Sequence, residues 1–218
     1  GIKDQDWFVV MVEVMIVVVG VYMGIFIGEA ATQRNLEKDA HASLELLIKD
    51  LKSDQEYLGM VIDMHRSAVA KYKHAINSLK TDPLDLEQAT AAIMKLETSE
   101  GQTFYPNGST YQVMLSKGQL DALGDTNLRQ KITKLYEMSY IRSQENGLFI
   151  GRNTDAINFN IIAYYFDSTT NSLIATSPAD LARFRAGLYN QHDYIEWYLG
   201  EMIADVKVPM DASNSGRV

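Results

Sequence analysis

The stretch WFVVMVEVMIVVVGVYMGIFI, residues 7–27, decides how this 218-residue chain is organised. It is a nearly unbroken apolar run whose one charged residue is Glu13. Because a helix rises ~1.5 Å per residue, the run is long enough to cross a hydrocarbon core of ~30 Å. The sequence therefore predicts a transmembrane helix over residues 7–28, preceded by a short tail of residues 1–6. A cleaved signal peptide is the alternative, but the run is longer than a usual signal core.

Helical spacing of apolar residues continues beyond the span. A seven-residue repeat marks one face of the following helix and comprises Leu44, Leu51, Leu58, His65, Tyr72 and Leu79. Further helical patterns begin near residues 84, 110, 127 and 178, and no period-two alternation of a strand persists. We therefore predict an all-α fold, in which one N-terminal transmembrane helix continues into an antiparallel extramembrane bundle over residues 29–208. A flexible tail over residues 209–218 follows.

Turn and capping residues predict the helix boundaries. Asp82 is expected to cap the second helix with Pro83 in its first turn, and Gly118 to end a short helix. In the long pattern from residue 127, the inward positions become small or polar near Gly147 and Gly151. This favours a helix break at one of these glycines over a polar cavity at the same place.

Composition excludes several classes of function. The formal charge of -8 and the pI of about 5.0 argue against nucleic-acid binding. The chain has no cysteine, so a thiolate zinc site and a thiol nucleophile are excluded. No Glu-x-x-His pair, Gly-x-Ser-x-Gly elbow or phosphate-binding loop occurs in the sequence. We therefore expect no metal site, no cofactor and no enzymatic activity.

Four residues of the apolar run are candidates for helix packing inside the membrane. A carboxylate at the bilayer centre costs roughly 2.5 kcal/mol or more, so Glu13 is expected to reach the interface or to meet another subunit, and less readily to relay protons. Gly20, Gly24 and Gly28 are spaced four apart on one helix face. Small residues at this spacing allow another backbone to approach closely.

The bundle sequence offers two further candidate sites. Tyr189, Tyr194 and Trp197 lie close together on the last helix and form a candidate partner surface, although they would equally serve to cover the bundle core. A candidate polar pocket comprises His65, Ser143, Asn146, Asn153 and His192, with His65 and His192 meeting across the bundle. The simpler interpretation is that these histidines are hydrogen-bonded core residues rather than ligands or pH sensors.

Two segments carry a resemblance to a known family. They are VEVMIVVVGVYMGIFIGE, residues 12–29, and TYQVMLSKGQLDALGDTNLRQKITKLY, residues 110–136. Together they resemble bacterial membrane-anchored proteins of a family of unknown function. The resemblance implies an inner-membrane anchor with a cytoplasmic N-terminus and a periplasmic bundle. The flanking charges of the span discriminate poorly between the two orientations.

Two hypotheses of function follow. The first is a non-enzymatic, single-span structural or accessory subunit of a larger membrane complex, for example a respiratory or photosynthetic one. Its span would pack against other membrane subunits in the bilayer, and its bundle would clasp the extrinsic part of the complex. The alternative is an extracytoplasmic ligand-binding sensor that signals through a separate partner, although no sequence motif supports a small-molecule ligand.

Overall fold

The computed structural model describes residues 3–96, 103–175, 177–208 and 210 of the chain. The predicted tail of residues 1–6 lies partly outside these residues. In the described residues the chain is almost entirely helical, as predicted. The helices are α1 Lys3–Ser78, α2 Leu86–Met94, α3 Ser109–Ser116, α4 Gln119–Ala122, α5 Thr126–Lys134, α6 Ile141–Ile157, α7 Ala163–Tyr165 and α8 Pro178–Met202.

The apolar run forms the N-terminal part of α1, which continues to Ser78 as one helix. Its side chains from Met11 to Ile27 are exposed, and the most apolar 18-residue window has a mean hydropathy of 2.3 with none of it buried. Among the described residues α1 is the one helix long and apolar enough to cross a membrane. A long apolar helix near the N-terminus, followed by further helices, was predicted and is confirmed.

The chain divides into two compact units. The first comprises Gly1–Ile48 and Ser109–Arg129, and the second comprises Lys49–Gly108 and Gln130–Val218. In the first unit, Ala40, Leu47 and Met114 are fully buried, while Arg129 and Asp121 form an exposed ion pair. Most of the buried residues lie in the second unit, which therefore contains the main core.

Three long helical segments build the second unit. The Arg185 guanidinium donates to the Leu79 carbonyl at 2.9 Å, and the His65 ring contacts Tyr198, so residues 49–78 of α1 run antiparallel to α8. α6 is antiparallel to α8 as well, because Tyr198 contacts Ser143 and Gln191 contacts Thr154. The predicted antiparallel bundle is thus formed by these helices.

Three π-helical segments interrupt the α-helices without ending them. They are π1 Leu135–Tyr140 before α6, π2 Asn158–Ile162 after it, and π3 Ile203–Lys207 after α8. The predicted break at Gly147 or Gly151 is wrong, since α6 runs through both glycines. Gly147 instead allows the Thr103 side chain to pack against α6, because a Cβ at Gly147 would lie 2.5 Å from the Thr103 methyl carbon.

Two other boundaries differ from the sequence expectation. Asp85, rather than Asp82, caps α2, because its carboxylate accepts the Gln88 backbone N–H at 2.9 Å. A short antiparallel hairpin, β1 Phe166–Asp167 and β2 Ser172–Leu173, occupies the predicted loop before α8. The last helix begins at Pro178 as predicted, and the Ser177 hydroxyl caps it by accepting the Asp180 backbone N–H at 3.1 Å. Of the predicted flexible tail, Met210 is helical and buried, and the remaining residues lie outside the described ones.

Candidate functional site

The predicted membrane-packing residues all lie on the exposed part of α1. Glu13 and the three glycines are solvent-exposed. Among the described residues, nothing lies within 4 Å of the position that a Cβ would take at Gly20, Gly24 or Gly28. This face is therefore open to a lipid or to another helix.

A buried carboxylate of α1 lies in the second unit. Asp54 is 4% exposed, and its Oδ1 accepts the Asn107 backbone N–H at 2.9 Å. Its Oδ2 has no hydrogen-bond partner of ordinary geometry among the described residues. Burial raises the pKa of Asp54, against the opposing effects of the Asn107 N–H and the Tyr140 hydroxyl. Asp54 is thus a buried acid that tethers a loop to α1.

The segment π1 places Tyr140 beside this carboxylate. Tyr140 packs edge to face on Tyr136 at 4.9 Å and on Phe104 at 5.7 Å between ring centroids. Its hydroxyl donates to the Met210 sulfur at 3.8 Å. Burial and the nearby Asp54 charge raise the pKa of Tyr140 far above its usual value. The sequence pattern did not single out Tyr140, because an aromatic residue at helical spacing is ordinarily core.

The predicted polar pocket is divided between packed and exposed positions. Tyr198 donates its hydroxyl to the Ser143 carbonyl at 3.1 Å and contacts the His65 ring edge to face at 5.1 Å. A Cβ at Gly147 would lie 2.6 Å from the same hydroxyl. His65, Ser143 and Gly147 are therefore brought together, but Tyr198 and Thr103 fill the space between them.

The other predicted pocket residues lie elsewhere on the bundle. The His192 Nδ1 lies 3.0 Å from the Asp193 carboxylate, and the His192 ring stacks on Tyr189. The ring that contacts His65 is that of Tyr198, six residues after His192. Asn146 and Asn153 are half-buried on α6. His192, Asp193 and Glu196 offer three potential metal-ligand atoms within 4.8 Å of one another, but they lie on one helix and two are exposed.

The predicted partner surface is exposed, and α6 extends it. The rings of Phe149 on α6 and Tyr194 on α8 pack edge to face with centroids 5.6 Å apart. Both remain exposed, by 40% and 43%, and Trp197 one turn along α8 is 45% exposed. Tyr189 is also exposed, two turns from Trp197. We call Phe149, Tyr194 and Trp197 the aromatic face. Sequence analysis missed Phe149, because residue spacing within α8 carries no information about its neighbour on α6.

This surface lies on rigid helices. Phe149 and Tyr194 face each other at the α6–α8 contact, and that contact is fixed on either side by hydrogen bonds of Tyr198 and Gln191. Large, rigid, exposed aromatic side chains bury much area at a small entropic cost when a partner covers them. The chemistry available at this face is therefore recognition through apolar and π contacts.

Together the fold and the surface define a class: an all-α protein with one candidate membrane span and a helical bundle that displays an aromatic face. The chain belongs to a family of unknown function, DUF6090, whose model matches residues 13–173. That match includes residues 13–27 of the apolar run and the whole of α6 with Phe149, and it ends before α8. No curated protein and no solved structure matches the chain.

Proposed function

We propose that this protein is a non-enzymatic, single-span accessory subunit of a larger membrane complex. The observation that carries the proposal is the aromatic face, with Phe149, Tyr194 and Trp197 each about two-fifths exposed on adjoining helices. Scattered exposed apolar residues are normal on a soluble protein, whereas a cluster of aromatic residues is typical of a binding surface. The exposed run of α1 supports membrane attachment of the same chain.

The proposed arrangement places α1 in a bacterial inner membrane, with the N-terminus in the cytoplasm and the bundle in the periplasm. The span packs through the face of Gly20, Gly24 and Gly28, and the bundle clasps the extrinsic part of the complex, as in a respiratory or photosynthetic assembly. Protease added to intact spheroplasts is expected to digest the bundle. Protection of the bundle would contradict this orientation.

A co-purification experiment tests the subunit role. The tagged full chain is extracted from its own membranes in a mild detergent and analysed by native mass spectrometry, where we expect a stoichiometric partner. Phe149→Ala, Tyr194→Ala and Trp197→Ala are each expected to reduce its recovery at least about tenfold, while the helical circular dichroism of the bundle is retained. Tyr164→Ala, at another exposed tyrosine, is the matched control. Purification as a monomer that binds a small molecule would overturn the proposal in favour of the sensor.

The sensor hypothesis is the weaker of the two. It needs a pocket inside the bundle, which the sequence predicts near Ser143, Asn146 and Asn153. The Tyr198 hydroxyl and the Thr103 side chain occupy the space beside Gly147 on which such a pocket would depend. A ligand would therefore have to displace two well-packed side chains.

A further inference from the structure

The aromatic face is bordered by acidic residues of α8. Residues 186–206 contain four acids and no lysine or arginine. Asp193 and Glu196 are exposed, and Glu201 is half-buried. Because Asp193 precedes Tyr194, Glu196 precedes Trp197, and Glu201 follows one turn later, the carboxylates run along the same stretch of helix as the aromatic rings.

These three carboxylates have little cationic compensation. Among the described residues, Asp193 pairs with His192, and neither Glu196 nor Glu201 lies within ion-pairing distance of a lysine or arginine. The fourth acid, Asp205, differs because Arg142 of α6 contacts it at 2.8 Å. Arg142 therefore neutralises Asp205 at the C-terminal end of this stretch, whereas the carboxylates beside the aromatic rings keep their negative charge.

The neighbouring helix changes this balance little. On α6, Glu145 and Arg152 are both exposed and flank Phe149 on its two sides along the helix. One charge of each sign cancels, so the aromatic face and its border keep the charge of Asp193, Glu196 and Glu201.

We infer that the aromatic face binds an arginine-bearing amphipathic helix of a partner protein, an inference that rests on the function proposed above. Guanidinium groups suit both components of the surface. They stack on tryptophan and tyrosine rings and donate paired hydrogen bonds to carboxylates. An apolar partner helix would leave three carboxylates desolvated and unpaired, and an acidic one would be repelled.

The spacing on α8 sets the arrangement of the partner. Asp193 and Trp197 are four residues apart, as are Trp197 and Glu201, so acid, aromatic ring and acid follow one another on one stripe. Arginines four residues apart on the partner helix, separated by apolar residues, would meet these three positions in turn. The partner is therefore recognised by the spacing of its charges as well as by their sign.

The test uses the full chain in a non-ionic detergent and a fluorescently labelled helical peptide that carries leucines and arginines at every fourth position. We expect saturable binding by fluorescence anisotropy, weakened as salt rises from about 0.05 to 0.5 M. The triple variant Asp193→Asn, Glu196→Gln, Glu201→Gln is expected to bind at least about tenfold more weakly. A peptide with glutamate in place of arginine should not bind.

A charge-matched control separates this surface from the general negative charge of the chain. Glu45→Gln, Glu56→Gln and Glu87→Gln remove three exposed acids elsewhere and are expected to leave peptide binding within about twofold of the unaltered chain. An equal loss in both triple variants, or an unchanged affinity in the first, would overturn the inference. If the first triple variant also keeps its stoichiometric membrane partner, the inference fails while the proposed function stands.

Discussion

The Asp54 carboxylate of α1 accepts a hydrogen bond from the backbone N–H of Asn107, 53 residues later in the chain, at 2.9 Å. The segment that carries Asn107 also carries Thr103, whose carbonyl accepts the Tyr57 hydroxyl at 3.2 Å. Between these two anchor points the ring of Phe104 is fully buried against Tyr57. One helical turn of α1, with the buried carboxyl group of Asp54, therefore holds residues 103–107 in place.

Asp54→Asn tests the cost of this buried charge. Because the pKa of Asp54 is raised in the folded chain, the folded state holds its proton more tightly than the unfolded state. The contribution of Asp54 to stability is thus most favourable below its ordinary pKa of 3.8 and is lost as the pH rises through the raised value. Asparagine keeps an oxygen for Asn107 and removes the charge.

We expect Asp54→Asn to raise the free energy of unfolding of the bundle at pH 8 and to change it less at pH 4, because the raised pKa makes the carboxyl group least favourable at high pH. Urea unfolding of the full chain in detergent, followed by circular dichroism at both pH values, measures this. A difference between variant and unaltered chain that does not change with pH would contradict the assignment of a raised pKa.

Gly147 is expected to be required for packing, whereas Gly151 is expected to tolerate a side chain. A Cβ at Gly147 would lie 2.5 Å from Thr103 and 2.6 Å from Tyr198, so Gly147→Ala should destabilise the bundle by about 1–3 kcal/mol. Nothing among the described residues lies within 4 Å of a Cβ at Gly151 on the same helix. Gly151→Ala should therefore stabilise it by up to about 1 kcal/mol. The thermal unfolding temperatures of the two variants test this difference. Equal shifts in the two variants would contradict it.

The same glycine shows what the sequence can and cannot predict here. Apolar spacing identified the long helices, because one face of each repeats every three or four residues. It did not distinguish a glycine that ends a helix from one that admits a neighbour, since Thr103 and Tyr198 come from distant parts of the chain. Phe149 was missed for the same reason, because its partner Tyr194 lies on another helix.

The π-helical segments are a further feature that spacing alone could not predict. A π turn adds a residue to the helix without changing its polar and apolar composition. In π1 this places Tyr136 and Tyr140 on the buried side, four residues apart. Asp54, which lies on a heptad-spaced helix between apolar residues, gave no signal of its role until Asn107 and Tyr140 were placed beside it.

Asp167 is expected to hold the hairpin together in a pH-dependent way. Its carboxylate accepts the Thr170 hydroxyl and the Thr169 N–H, each at 2.8 Å, and these bonds lower its pKa to about 2. For a lowered pKa, the stabilisation is present above the ordinary value of 3.8 and is lost as the pH falls toward about 2. The protection factors of the amides of residues 169–174, which correct amide exchange for its intrinsic pH dependence, should fall as the pH drops through this window. In Asp167→Asn these protection factors should be lower at neutral pH and should lose this dependence on acid.

Gly24→Leu separates packing in the membrane from packing in the bundle. Among the described residues nothing lies within 4 Å of a Cβ at Gly24, so Gly24→Leu is expected to leave the thermal unfolding of the bundle unchanged. If a partner helix covers this face, the leucine prevents the close approach that small residues allow. We therefore expect at least about a tenfold loss of the partner in co-purification from membranes, whereas Val21→Leu, also exposed on α1, should lose little. Equal recovery with all three chains would show that lipid, and not protein, covers Gly24.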